Sequence, residues 1–390
     1  MSDRQNQSDG TSQPATERIY GIKFGRSNCS IAYVNEVGKP EVIPNEVGQP
    51  EVIPSDNQTF VSPSFVTFLN GQMVTVGEEA IREASIFPEG AVERIKDHMG
   101  ETDADGNPYV VHRVGKDWTA VDVAAIILRK VANNVSNQMP GRKASSAVIT
   151  VPAYFNAAQR EATRQAAEAA NLNVIDLLPE PAAAALSYSI DHNENQTVLV
   201  YQLGGSIFDA TVINIADGVS TLITTDGSRQ LGGWMWNDRI KQYMKDGWQK
   251  AANSNQDPLE SPSTDLAWSQ LAEQAKRTLT QRDNADIYCN YDGTLASVNL
   301  TRETFDVITS DLLEQTVTFT NATIRTAADK GFSTISKILL VGGSTYMGQV
   351  REAVEEQFGL VVELYKPDLA VVLGAAKYAD DIRMREEYRK

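Results

Sequence analysis

Apolar and polar positions alternate along this chain in two successive blocks. Residues 20–34 alternate on either side of Gly25, which predicts a strand, a tight turn and a returning strand. Thr119-Ala-Val-Asp122 places a hydroxyl three residues ahead of an acid, a helix-start signature. The helix that follows should run to about Gln138, where Pro140-Gly141 stops it. Residues 147–151 are β-branched and read as a strand, Asn156-Ala-Ala-Gln159 opens a second capped helix to about Asn171, and 174–178 is a further strand. Glu180-Pro181-Ala182 begins a short helix through Tyr188.

The pattern then starts again. Residues 196–202 and 210–215 predict strands around a Gly204-Gly205 turn, and 219–225 should pair with them. A charged helical section from about Trp234 to Gln281 is broken by a polar Pro/Ser loop at 253–264. Residues 285–299 are β-like and 303–330 helical. Residues 335–341 form a strand entering Gly342-Gly343-Ser344, 346–358 is a helix ended by Gly359, and 368–389 is a final helix. Strand–helix alternation in 20–190 and again in 196–385 predicts an α/β protein of two lobes around a cleft. Ligands of such folds sit at strand–loop junctions in the cleft.

Composition narrows the function. The chain has 390 residues, 35 Lys+Arg against 51 Asp+Glu, and a net charge of −16. That balance argues against nucleic acid or an anionic membrane as general partners, because phosphate contacts need clustered cations. Two cysteines, Cys29 and Cys289, make no disulfide framework, and three scattered histidines, His98, His112 and His192, make no zinc site. No apolar stretch approaches the roughly 20 residues of a membrane span. Residues 1–19 are polar, lack the apolar core of a signal peptide and read as a disordered tail, so the expected location is cytoplasmic. An internal repeat stands out: 35–44 reads NEVGKPEVIP and 45–54 reads NEVGQPEVIP, differing only at Lys39 and Gln49. It reads as a tandem duplication adding one hairpin, or as a dedicated binding hairpin, and near-identical copies leave strand register ambiguous.

Three glycine-bearing turns follow strands, at 21–27, 203–208 and 341–345. Freed backbone N–H groups can cradle an anion there, although any one of them alone is an ordinary hairpin turn. Gly25, Arg26 and Ser27 in the first, Gly204 and Gly205 in the second, and Gly342, Gly343 and Ser344 in the third suggest two phosphate clamps and an adenosine loop. The Walker loop is absent.

Val148-Ile-Thr-Val-Pro-Ala-Tyr-Phe-Asn-Ala-Ala-Gln-Arg160, Glu180-Pro-Ala-Ala-Ala-Ala-Leu186 and Tyr201-Gln-Leu-Gly-Gly-Ser-Ile-Phe-Asp209 resemble the nucleotide-binding domain of the heat-shock-70 (DnaK-type) chaperones, with order and spacing matching from about Tyr20 to Asp380. The resemblance implies the actin-like ATPase fold, two lobes of two subdomains each around a nucleotide cleft. Lobe I would span 20–194 and lobe II 195–385, with a helical/β subdomain at about 234–320. The family's hydrophobic interdomain linker and peptide-binding domain find no counterpart in the sequence. The implied ligand is ATP or ADP, and the implied protein partner is of chaperone type.

On the adenosine side the resemblance holds. Glu273, Lys276 and Arg277 match the helix that holds ribose and adenine, and Gly342-Gly343-Ser344 and Asp368 match the facing loops. Arg277 and Tyr346 would stack on the two faces of the base. On the phosphate side it fails. Lys23 stands where the family has a metal-organising carboxylate, and Arg26 where it has a phosphate-binding threonine. Gln202 replaces the second carboxylate, Ile207 another threonine, and Ile81 aligns with the lysine that orients the attacking water. Glu180 and Asp209 remain of the acidic set. Magnesium prefers oxygen ligands, carboxylates above all, so this set argues against a metal site and against hydrolysis. Lys23 either takes over magnesium's charge together with Arg26, or pairs internally with Glu180 or Asp209. Asp176 falls where the family uses an arginine to meet a J-domain, which argues against that coupling. Pro152 and Arg160, which the family uses to relay nucleotide state, are kept. Three readings stay open: a nucleotide-binding regulatory partner, a nucleotide-free scaffold, and a slow ATPase domain of a truncated chaperone.

Overall fold

The computed structural model describes residues 18–45, 60–69, 73–191, 195–217 and 219–388. Positions 1–17 of the expected tail, nearly all of the second repeat copy and His192 lie outside the described residues.

Two sheets with the same connectivity organise the chain. In the first, Ile19–Phe24 is central. It pairs antiparallel with Asn28–Val34, which pairs antiparallel with Pro40–Val42. On its other side it runs parallel to Ser146–Val151, which runs parallel to Asn173–Pro179. In the second, Gln196–Leu203 is central, antiparallel to Phe208–Ala216 and through it to Val219–Ser228. Its other neighbours are Lys337–Val341 and then Val361–Leu364, both parallel. The continuous apolar runs Val198–Tyr201 and Ile338–Val341 follow from this placement, because strands covered on both faces have no polar side. The turns after the two central strands therefore occupy equivalent places, and these are the two glycine turns at Gly25 and Gly204-Gly205.

Both expected capping boxes form. The Thr119 hydroxyl and Asp122 carboxylate satisfy each other's backbone N–H groups at the head of Ala120–Gln138, and Asn156 and Gln159 do the same for Ala157–Ala169. The helix Glu180–Asp191 packs on the second sheet and Ala370–Glu387 on the first, while the two helices pack on each other. This crossed pair ties the halves together. Its close approach requires Gly374, where a Cβ would run into the Ala183 carbonyl. Beyond the second sheet, Gly233–Ala252 and Pro262–Leu279 cover the hairpin Asn284–Tyr291/Thr294–Thr301, with Trp236, Trp248 and Trp268 buried between them. Among the described residues no helix is long and apolar enough to cross a membrane.

Residues 60–119 hold elements for which the apolar pattern offered no expectation: short strands at Val66–Phe68, Val74–Val76 and Ala91–Val92, the helix Glu78–Ala84, and the hairpin Val110–Arg113/Lys116–Thr119. The strand Val361–Leu364 was likewise unread.

The first repeat copy makes the edge hairpin of the first sheet. Asn35 Oδ1 accepts the N–H groups of Val37 (3.0 Å) and Lys39 (2.9 Å), and Glu41 accepts from Tyr33 Oη (2.8 Å) and from the Asn35 amide (2.6 Å). The second copy repeats Asn, Val and Glu at the same spacing. Deleting 35–44 joins Val34 to Asn45 and regenerates the hairpin with Gln49 in place of the exposed Lys39. The melting temperature should stay within about 2 °C of the parent, as for a neutral surface change. A drop of ten degrees in a thermal scan would show that the copies are not equivalent.

Candidate functional site

The site forms where the two glycine turns face each other across the cleft. Gly205 lies against Ser27 so closely that a Cβ on it would collide with the Ser27 hydroxyl. Ser344 Oγ donates to the Gly204 carbonyl (3.0 Å), and the N–H groups of Gly233 and Trp234 donate to the carbonyls of Gly204 (2.9 Å) and Gly205 (2.7 Å). All three glycine turns singled out in the sequence thus meet at one place.

At its centre is a buried polar network. Lys96 is 2% exposed. Its ammonium donates to the Phe24 carbonyl and to Glu180 Oε1, the latter at 2.7 Å. Gln202 Nε2 donates to the other carboxylate oxygen, Glu180 Oε2, at 2.6 Å. Burial alone would push the Glu180 carboxyl up. The Lys96 ammonium, helped by Lys23 and the Gln202 amide, overrides burial and holds it below the ordinary glutamate value. Burial correspondingly pulls Lys96 below the usual lysine value, with Glu180 opposing. Asp209, across the hairpin from Gln202, is 3% exposed and its Oδ2 has no hydrogen-bond partner. Burial, and then the Glu180 charge, push its carboxyl up to about 7, although Arg26, Lys96 and Arg229 pull the other way.

The expectations for individual cations need correcting. Lys23 shows no ion pair to Glu180 or Asp209 among the described residues; it donates to the Asp368 carbonyl at 3.5 Å. The internal lysine is Lys96, from the short turn Ile95–His98. The physical reason is register: Lys23 sits inside the central strand, opposite Ser30 and beside Thr150, whereas the Ile95–His98 turn delivers a long flexible side chain from outside the sheet. Arg26 is buried and ion-paired with Asp97, so its guanidinium is engaged within the protein. Ile81, in the helix Glu78–Ala84, packs against the cluster of Phe65, Ala80 and Ala84. Ile207 is buried behind the second turn and its carbonyl closes that turn through the Gly204 N–H (2.9 Å).

Aromatic contacts span the cleft. The Arg94 guanidinium lies 4.4 Å from the Trp234 ring and that of Arg229 lies 4.5 Å from Tyr154. Each such contact contributes roughly 0.5–2 kcal/mol, more as water is excluded.

On the adenosine side, Glu273 is the hub. Its carboxylate takes Lys276 Nζ at 2.7 Å, Arg277 Nε at 2.8 Å and Asn237 Nδ2 at 3.0 Å. Burial would raise its pKa, but Lys276 and Arg277 drive it well below the ordinary range. Lys276 also donates to the Gly233 carbonyl (3.0 Å). Arg277 keeps a largely exposed side chain whose base is anchored by Glu273. Gly343 faces Asp368 Oδ1, and Tyr346 closes the Gly343–Tyr346 turn on the exposed side.

Asp176 accepts from Tyr378 Oη (2.9 Å) and from the Leu177 N–H (2.7 Å), which commits it to the last helix. Arg160 donates to the carbonyls of Phe155 (3.1 Å) and Leu177 (3.4 Å), linking the loop after Pro152 to the strand Asn173–Pro179 that leads into Glu180. Lys96, Asp97 and Arg94 were missed in the sequence. The one signal available was their position between two short apolar runs, and nothing local marks that segment as buried.

The sequence model of the family described as Hsp70 protein matches residues 19–385. That span contains both sheets, the crossed helices and every residue of the cleft described above, and such domains have the actin-like ATPase fold and bind adenine nucleotides. The chain belongs to the Hsp70 family, as a chaperone-related nucleotide-binding domain.

Proposed function

We propose that this chain holds ATP or ADP without hydrolysing it to a significant extent and serves as a regulatory partner of another chaperone. The division into a lobe over 20–194 and a lobe over 195–385 belongs to the same reading. One observation carries it: both oxygens of Glu180 are engaged, by Lys96 at 2.7 Å and by Gln202 at 2.6 Å. Phosphoryl transfer to water needs a positioned nucleophile and a charge clamp that follows the transferring group. Here the retained carboxylate Glu180 is immobilised by a buried ammonium and an amide, and burial raises the Asp209 carboxyl to about 7, which weakens it as an anion. With both oxygens of Glu180 engaged, that carboxylate is not free to orient water. The adenosine side is intact by contrast, so binding and turnover come apart.

Nucleotide would be held by Arg277 against the base, by Glu273 and Lys276 toward the ribose, and by Gly343 and Asp368 on the facing loop. An Arg277→Ala change should weaken ADP binding about 5- to 30-fold, the equivalent of 1–2 kcal/mol for a desolvated stacked cation. Calorimetry on the purified protein checks this, and unchanged affinity would place the base elsewhere. The proposal itself is tested by nucleotide-dependent melting. A ligand at 100 times its dissociation constant adds about 2.7 kcal/mol, a clear upward shift. J-domain stimulation is not expected, because Asp176 presents a carboxylate, paired with Tyr378, where the family presents a cation.

A nucleotide-free scaffold is the second reading. It draws on the mutual contact of the glycine turns, with Ser27 against Gly205 and Ser344 bonded to Gly204. No melting shift with either nucleotide would favour it.

A further inference from the structure

Magnesium is the ion an Hsp70-type cleft calls for, and the donor set of this chain does not fit it. Magnesium requires near-octahedral oxygen ligation at about 2.0–2.1 Å. Among the described residues no three acidic, histidine or cysteine side chains come together in a metal-holding group. Glu180 has an ammonium on one oxygen and an amide on the other. An ammonium beside that carboxylate repels a divalent cation there.

The same residues make a site for an anion. Lys23, Arg26, Lys96 and Arg229 act on Glu180 and Asp209 from around the cleft. Asp97 pairs with Arg26 and Glu180 with Lys96, while Lys23 and Arg229 donate only to carbonyls, of Asp368 and Tyr154, among the described residues, in a chain of net charge −16. An ammonium has three N–H donors, and the hydrogen bonds of Lys96 account for two, to Phe24 and Glu180. The Ser206 hydroxyl, in the turn after Gly204-Gly205, is 5% exposed and has no hydrogen-bond partner.

From these contacts we infer that the Lys96 ammonium stands in for the divalent cation, so that the cleft takes a nucleoside di- or triphosphate as its free anion, without magnesium. The inference rests on the adenine-nucleotide reading above. No bond is made or broken; the phosphate oxygens exchange water and counterions for Lys96, Lys23 and the turn amides.

Two measurements on the full chain test it. In the first, ADP and ATP affinities are measured by calorimetry in EDTA and in excess magnesium. ADP should bind at least as tightly in EDTA as in excess magnesium, and ATP, whose free anion excess magnesium removes by complexation, should bind several-fold more tightly in EDTA. Affinity at least tenfold weaker in EDTA would overturn the inference while leaving the nucleotide reading standing. Absence of binding in both conditions would overturn both. Lys96→Gln should lower the EDTA affinity at least tenfold and make binding respond to magnesium. Should that variant not fold, Gln202→Asp supplies the same contrast, since it returns a carboxylate beside Glu180 and should create a gain in affinity from magnesium that the parent lacks. A Gln202→Asp protein that gains no more affinity from magnesium than the parent does would count against the inference. In the second, manganese is titrated into the nucleotide-free protein and followed by paramagnetic resonance. The free-ion signal should match buffer throughout, and a tightly bound manganese would contradict the assignment.

Discussion

A Lys96→Met variant is expected to lose about 3–5 kcal/mol of stability at pH 8, because it leaves a buried carboxylate without its counter-ion. The sign and the pH course both follow from the geometry. In the parent, Glu180 is held below its ordinary value by Lys96 against burial. A depressed carboxylate contributes stability above its unfolded pKa, and that contribution is lost as the pH falls through the folded value. Without the ammonium, burial dominates and Glu180 takes up a proton at higher pH. The deficit of the variant should therefore be largest at pH 8 and shrink as the pH approaches 4. A Lys96→Met/Glu180→Gln double variant should recover most of the loss, since removing both charges of a buried pair is nearly neutral. Equilibrium urea unfolding at the two pH values decides it. A loss under 1 kcal/mol for Lys96→Met would mean that the pair is not the buried contact described.

Asp209 gives the second large effect, of opposite sign. Its carboxyl titrates near 7 in the fold against 3.8 for an ordinary aspartate. The native state therefore binds this proton more tightly than the unfolded chain does. Its contribution to stability is greatest below about pH 4, falls as the pH rises to about 7, and is flat above. Across some three pH units the change is on the order of 4 kcal/mol at most. Asp209→Asn removes the titration and keeps the shape. Its melting temperature relative to the parent should rise between pH 4 and pH 8 by several degrees. A difference that stays constant with pH would show that the carboxyl is ionised throughout.

The fold was legible where periodicity and caps agree. The strands around Gly25 and Gly204, both capping boxes, the break at 253–264 and the final helix all form at or near their expected places. The stretch from 60 to 119 was not, because strands of two to four residues carry too few alternations to show a period. At the site, Glu273, Lys276 and Arg277 could be grouped from the sequence because they share one helix face. The charge partners could not. Lys23, in the central strand, and Arg26, in the turn that follows it, flank the segment that resembles a phosphate clamp, but their partners, the Asp368 carbonyl and Asp97, come from distant segments. Lys96 sits in an Arg-Ile-Lys-Asp segment that reads as solvated charge, and only its packing against Phe24 and Phe155 brings it inside. Local pattern reports which residues share an element; it does not report which buried charge finds which partner.

Retention of bound ATP tests the central claim most directly. The purified protein, in excess over ATP labelled in its γ-phosphate, is incubated with magnesium and sampled over many hours. Binding without turnover predicts that the label co-elutes with the protein as intact ATP and that free phosphate stays at the level of the buffer control. Release of phosphate at a rate above that control, abolished by Glu180→Ala, would contradict it.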